Sequence, residues 1–221
     1  MLGRSGSASV DTMNSLQSIR NVFLDWSGTI VDDLPPVLEA TNRVMDYYKK
    51  PSFTREQFRR DFCLPFVDFY DRFLPGISMS ELDALYTEFF DSSDKQVTEL
   101  PGARVFLDYC LTTGKRIFLL SSIKNDHFET QAKALGLRRY FDHAYTEVLN
   151  KSLRIHGILQ DLELDSHETL FAGDMQHDVE TAKCANLLAV ATLTGYNSRE
   201  QLNAAAPDLI VDDLSFLVEG I

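Results

Sequence analysis

No apolar run in this chain approaches the roughly 18 residues that a membrane-spanning helix requires, so no transmembrane segment is expected. Cysteine is scarce. Cys63, Cys110 and Cys184 are scattered without paired spacing, which excludes a disulfide framework and a cysteine-based zinc site and fits a reducing, cytoplasmic setting. Basic residues are also short. The chain has 21 Lys and Arg against 33 Asp and Glu, a net charge of −12, and this balance argues against nucleic-acid backbones and anionic membrane surfaces as partners. Internal repeats are absent, and residues 1–18 lack the apolar core of a signal peptide. They read as a flexible N-terminal tail.

What remains is an ordinary core-forming composition, 44% hydrophobic and 24% charged over 221 residues, enough for one domain carrying an insertion. Val22-Phe-Leu-Asp25-Trp-Ser-Gly-Thr29 opens the pattern: apolar residues without period-2 alternation run into an acidic residue and a turn glycine. Such a strand is buried on both faces, as in a parallel sheet. A helical block follows. Asp33 is placed to cap a helix with Pro35 and Pro36 in its first turn, Thr54 to Gln57 forms a capping-box pattern, and Ser78 opens a further helix.

From Pro101 helices and short apolar strands alternate. Strands are expected at 117–120, 143–146, 169–172, 187–192 and 209–211, with helices between them. This alternation predicts an α/β fold with a doubly wound, Rossmann-like parallel sheet. The expected organisation is a core of residues 19–33 and 97–221 with a helical domain, 34–96, inserted after the first strand.

Four stretches fall at strand ends that a parallel sheet brings to one edge, where open α/β sheets bind ligands. They are Asp25 to Thr29, Ser121-Ser122, Lys151, and Gly173-Asp174 through Asp178. Asp25 and Asp174 placed together would repel unless a hard cation lay between them, and Mg²⁺ suits one or two carboxylates with phosphate oxygens. Ser121, Lys151 and backbone N–H groups near Gly28 are donors suited to a phosphoryl group. A carboxylate held in line with phosphorus can act as a nucleophile. Taken singly, Ser121 also suits a helix cap, Lys151 a solvated helix start and Asp178 a first-turn carboxylate. Their order and placement join them.

These motifs resemble those of the haloacid dehalogenase superfamily, in its phosphoglycolate-phosphatase-like branch, from about residue 20 to the end. Asp25-Trp-Ser-Gly-Thr29 stands where that family has Asp-x-Asp-Gly-Thr, Ser121 matches its second motif, Lys151 its third, and Gly173, Asp174 and Asp178 its fourth. The resemblance implies a hydrolase, a phosphatase acting on a small phosphorylated metabolite through an aspartyl-phosphate. Asp25 would be the nucleophile. Mg²⁺ would be held by Asp25, Asp174, Asp178 and the main-chain carbonyl of Ser27, and phosphate by Gly28, Thr29, Ser121, Ser122 and Lys151. Residues 34–96 would be the cap that chooses the substrate.

One position departs from the pattern. Ser27 replaces the aspartate that protonates the leaving group and activates water in that family. The alternatives this opens are a phosphonoacetaldehyde-hydrolase-like cleavage of a C–P bond and a catalytically degenerate binding protein. The first needs a Schiff-base lysine in the cap. Between Lys50 and Lys95 the sequence has none.

Overall fold

The computed structural model describes residues 16–219. The expected tail over 1–18 lies outside these residues as far as position 15, while residues 16–18 are helical and Leu16 is buried. In chain order the elements are β1 (Asn21–Leu24), β2 (Val31–Asp32), α1 (Leu34–Tyr47), α2 (Arg55–Asp61), α3 (Phe66–Phe73), α4 (Met79–Asp91) and β3 (Thr98–Glu99). There follow α5 (Ala103–Thr112), β4 (Arg116–Leu120), α6 (Asn125–Ala134), β5 (His143–Tyr145) and α7 (Lys151–Asp161). The last elements are β6 (Thr169–Gly173), α8 (Gln176–Cys184), β7 (Leu188–Thr192), α9 (Arg199–Ala204) and β8 (Leu209–Val211), with short 3-10 turns between some of them. The chain divides into two compact units, Met1–Val31 with Glu99–Ile221, and Asp32–Thr98. The crossing segments β2 and β3 pair with each other as a two-stranded sheet, a feature the sequence pattern did not reveal.

The α/β unit is built on a parallel sheet in the order β5-β4-β1-β6-β7-β8. From β1 the winding runs outward through β4 to β5, then returns to the other side of β1 for β6, β7 and β8. The reversal therefore lies beside β1, and a crevice opens at such a point outside the carboxyl ends of the strands. All four residues of β1 are buried, as expected of a strand covered on both faces. Phe23 stacks on Phe118 of β4 with centroids 5.0 Å apart and leans toward Phe171 of β6 at 6.4 Å. Ile155 and Ile158 of α7 and Val179 and Ala182 of α8 complete this core. Each such large apolar side chain contributes about 1.5–3 kcal/mol when fully buried.

Trp26, directly after Asp25, anchors the start of the turn. It is fully buried, meets Phe128 edge-on at 5.0 Å and Phe141 at 6.1 Å, and its indole N–H donates to Gln131 Oε1 at 2.7 Å. With the ring fixed in this way, the backbone on either side has little freedom to turn.

The second unit is helical, with α1 packed on α4. Its aromatic residues pack on one another: Phe58 and Phe69 are fully buried and surrounded by Phe53, Phe62 and Phe73. Thr54 and Gln57 exchange both capping-box hydrogen bonds, Gln57 N–H to Thr54 Oγ1 at 3.2 Å and Thr54 N–H to Gln57 Oε1 at 2.8 Å. Asp33 does stand at the N-cap of α1 but makes no side-chain cap bond; Asp32 Oδ1 accepts from Leu34 N–H at 3.3 Å instead. Arg43 lies over the Phe89 ring and donates to Phe89 O and Ser92 Oγ, and Arg60 pairs with Asp61.

Candidate active site

The parallel register brings the ends of β1, β4 and β6 side by side. Leu24 is opposite both Leu119 and Ala172, so Asp25, Ser121 and Asp174 emerge from neighbouring strands at one edge. Asp25 N–H continues the ladder onto Ala172 O at 3.1 Å. Lys151 arrives on the first turn of α7, where Asn150 Oδ1 caps the helix by accepting from Leu153 N–H at 3.1 Å. Asp178 arrives on the first turn of α8, and its Oδ2 accepts from Met175 N–H at 3.1 Å.

Asp25, Asp174, Asp178 and Lys151 are all buried. One carboxylate oxygen from each aspartate lies within 4.8 Å of the others. The Lys151 ammonium joins two of them, standing 2.6 Å from Asp178 Oδ1 and 2.8 Å from Asp25 Oδ1. The bond to Asp178 is aligned as a hydrogen bond, whereas Asp25 Oδ1 meets the ammonium as a close ion pair. Asp174 is held at both oxygens, Oδ1 by the Thr29 hydroxyl at 3.2 Å and Oδ2 by Tyr196 N–H at 2.6 Å.

Three carboxylates thus face one ammonium out of water. Burial drives the Asp174 carboxyl well above its ordinary range, Asp178 and Asp25 add to the rise, and Tyr196 N–H and Lys151 oppose it only in part. Asp25 is raised for the same reason, with Lys151 the strongest opposing influence. Burial alone would lower the Lys151 ammonium, but Asp178 and Asp25 outweigh it and hold it above an ordinary lysine.

This arrangement fits a hard divalent cation. The donors are all oxygen, their charge is under-compensated, and Asp25 Oδ1 is a buried acceptor without an aligned donor.

The remaining sequence-predicted residues are placed as follows. Gly28 turns the chain at φ 73°, and a Cβ there would stand 2.5 Å from Asp174 Oδ2, so the turn needs both the left-handed backbone and the missing side chain. Its N–H donates to Val31 O at 2.8 Å, and Thr29 N–H lies 3.3 Å from Trp26 O. The groups expected to meet phosphate at Gly28 and Thr29 are therefore engaged in the turn and with Asp174. Ser27 is half-buried beside Val31 in an isolated β-bridge. Ser121 is buried at the end of β4; it does not cap a helix, since the N-cap of α6 is Lys124, and its Oγ accepts from Ile123 N–H at 3.3 Å. Ser122 follows it, half-buried.

Sequence reasoning missed two participants at this edge. His177 Nε2 lies 3.5 Å from Lys151 N, and burial holds its imidazole below the ordinary range. Asn197 Oδ1 accepts from Gln176 N–H at 2.8 Å, tying the segment after β7 to the first turn of α8. Neither carries a local pattern that would single it out. The Thr194-Gly-Tyr triplet next to Asn197 was the one available signal.

A profile of the haloacid dehalogenase-like hydrolase family matches residues 22–192. The chain belongs to that family and is a hydrolase. Among curated relatives it is 24% identical to phosphoglycolate phosphatase of Vibrio parahaemolyticus, over 93% of this chain and 97% of that one. It is 23% identical to a pyrophosphatase of Bacillus mycoides, over 90% of this chain and 95% of that one. Among solved structures, a haloacid dehalogenase-like family protein from Streptococcus pneumoniae superimposes with a TM-score of 0.80 at 20% identity, covering 92% of this chain and 98% of that one. Among the described residues no helix is long and apolar enough to cross a membrane.

The carboxylate trio sets a pH and cation dependence. Because Asp25 and Asp174 titrate above the ordinary carboxylate range when folded, the folded chain keeps protons that the unfolded chain has lost. Stability without a cation therefore falls as pH rises from that ordinary range through the raised values. At about pH 7 in EDTA, Asp174→Asn is expected to melt above the wild type, at ~2–4 °C per kcal/mol for a chain of this size. Millimolar Mg²⁺ is expected to raise the wild-type Tm and leave the variant's unchanged. Thermal melts with and without Mg²⁺ check both; equal Mg²⁺ responses would contradict the assignment of Asp174 to a cation site.

Proposed function

We propose that this hydrolase is a Mg²⁺-dependent phosphatase of small phosphorylated metabolites that works through a phosphoryl group carried on Asp25. The observation that carries this reading is the buried cluster at the end of β1, where Asp25, Asp174 and Asp178 bring carboxylate oxygens within 4.8 Å of one another and Lys151 pairs with Asp25 at 2.8 Å. The names of the curated relatives, phosphoglycolate phosphatase and pyrophosphatase, support the same class of chemistry.

In the proposed reaction an Asp25 oxygen attacks phosphorus, the P–O bond to the leaving group breaks, and that oxygen departs with its electron pair to take up a proton. Water then attacks phosphorus, the acyl–phosphate bond breaks, and Asp25 regains its carboxylate as phosphate leaves. Lys151 favours the ionised form of Asp25 against its burial and holds Asp178 in place. Asp25 and Asp174 would hold Mg²⁺, with Asp178 and the Ser27 carbonyl in support, and the bound cation would offset the charge of the phosphoryl oxygens. Ser121 and Ser122 are the hydroxyl donors proposed to meet phosphate. Gly28 and Thr29 are proposed to shape the nucleophile's turn and to hold Asp174. The helical unit is proposed to select the substrate.

Ser27 gives the proposed enzyme its character. A serine cannot serve as the acid for a departing alkoxide at neutral pH, and such help is typically worth ~10²–10⁴-fold in rate. Aryl and acyl phosphates, whose leaving groups need little protonation, are therefore the favoured substrates. Ser27→Asp is expected to raise alkyl phosphatase activity by up to that factor, measured as kcat/KM; unchanged or lower turnover would mean that another group already supplies the proton. Asp25→Asn keeps the shape but removes the nucleophile, and turnover of any accepted phosphate ester is expected to fall by several orders of magnitude, toward ~10⁶-fold. Activity assays across a panel of phosphate esters, with circular dichroism to verify folding, check this. Near-normal turnover by the folded variant would overturn the mechanism.

A further inference from the structure

The segment after β7 touches both of the turns that carry the site. The Thr194 hydroxyl donates to Gly28 O at 2.6 Å, gripping the turn behind Asp25. Two residues on, Tyr196 N–H donates to Asp174 Oδ2 at 2.6 Å, and Asn197 N–H reaches Asp174 O at 3.4 Å. Between these contacts Gly195 lies so close to Asp174 that a Cβ on it would overlap the carboxylate, while a Cβ on Gly28 would stand 2.9 Å from Gly195 Cα. The Asp174 carboxylate is thus held between two bare glycine backbones. Thr194 supplies the side-chain hydrogen bond that fastens one of those backbones to the other.

We infer that Thr194 is a positioning residue that sets the spacing between Asp25 and Asp174 for a divalent cation. This inference rests on the cation-dependent reading proposed above. Asp25 sits at the end of β1 and Asp174 at the end of β6, so strand pairing fixes their backbones up to Leu24 and Ala172. Beyond that register the turn is anchored at Trp26 and joined to the Asp174 side chain by the Thr29 hydroxyl, while the Gly28 carbonyl is tied across to the segment after β7. Gly28 N–H is bonded within its own turn, to Val31 O, and cannot restrain the turn against β7. The Thr194 hydroxyl can, because its donor reaches the Gly28 carbonyl from a different strand end. Its oxygen also stands 3.1 Å from the Thr192 hydroxyl on β7, which orients it. Loss of the hydroxyl would leave Gly28 O without this donor and let the two carboxylates drift apart. Outer groups that orient metal ligands typically contribute 10–100-fold in metal affinity.

Isothermal titration of the whole chain with Mg²⁺ alone tests this, alongside thermal melts in EDTA. Thr194→Val, which keeps the shape and removes the donor, is expected to weaken Mg²⁺ binding about 10–100-fold. Thr194→Ser, which keeps the donor, is expected to bind Mg²⁺ as the wild type does. A purely structural role would lower the melting temperature of the valine variant in EDTA and leave its Mg²⁺ dissociation constant unchanged. That result overturns the inference while the metal reading stands. A wild type that binds no Mg²⁺ overturns the metal reading and this inference with it. Should the valine variant fail to fold, Thr194→Ala is read against Thr194→Ser: weakened binding in alanine alone supports the inference, and equal binding overturns it.

Discussion

Three buried carboxylates gathered beside one lysine, which pairs with two of them, form the constraint on which the rest of this structure depends. With a single ammonium against three carboxylates in a dry site, burial and mutual repulsion raise Asp25 and Asp174 above the ordinary carboxylate range. Hydrophobic burial elsewhere must offset this cost, and the sheet and helix core around Phe23, Phe118 and Phe171 is where it does so. Phe23, Phe118 and Phe171 lock the three strands whose ends carry the site, and Trp26 fixes the residue after Asp25 against Phe128 and Phe141. A rigid frame of this kind keeps like charges near each other, which a looser one would relieve by moving them apart. Stored repulsion of this kind is what a cation would discharge.

The parallel sheet and the edge carrying Asp25, Ser121, Lys151 and Asp174 were legible in the sequence because each rests on a local signal. Buried strands show as uninterrupted apolar runs, and glycine marks the turns that follow them. The capping box at Thr54 was equally readable, since it needs only residues three apart. What escaped was longer in range. The pairing of β2 with β3 joins residues 31–32 to 98–99, and no local pattern announces it. Lys151 could be read as a cation at the site, but its ion pairs with Asp25 and Asp178 depend on how α7 and α8 stand against the sheet. Asp33 illustrates the opposite error: the residue type and position suited a cap, yet the neighbouring Asp32 supplies the hydrogen bond. Thr194, Tyr196 and Asn197 act on residues 166, 22 and 21 positions away, through backbone groups as much as side chains, so their partners leave no local pattern.

Ser27 separates what the fold supplies from what the chemistry needs. Three carboxylates and a lysine gather near it at one sheet edge, whereas the proposed mechanism finds a serine where it would need a carboxylate for the leaving group's proton. The central claim is therefore narrower than fast ester hydrolysis: Asp25, with Mg²⁺, accepts a phosphoryl group. The most direct measurement is ¹⁹F NMR of the protein with Mg²⁺ and beryllium fluoride, which bonds to a carboxylate in place of a phosphoryl group. Mg²⁺-dependent resonances of bound beryllofluoride in the wild type, absent from Asp25→Asn, are the predicted result. No bound resonance in the wild type, or the same resonances in both proteins, would contradict the account.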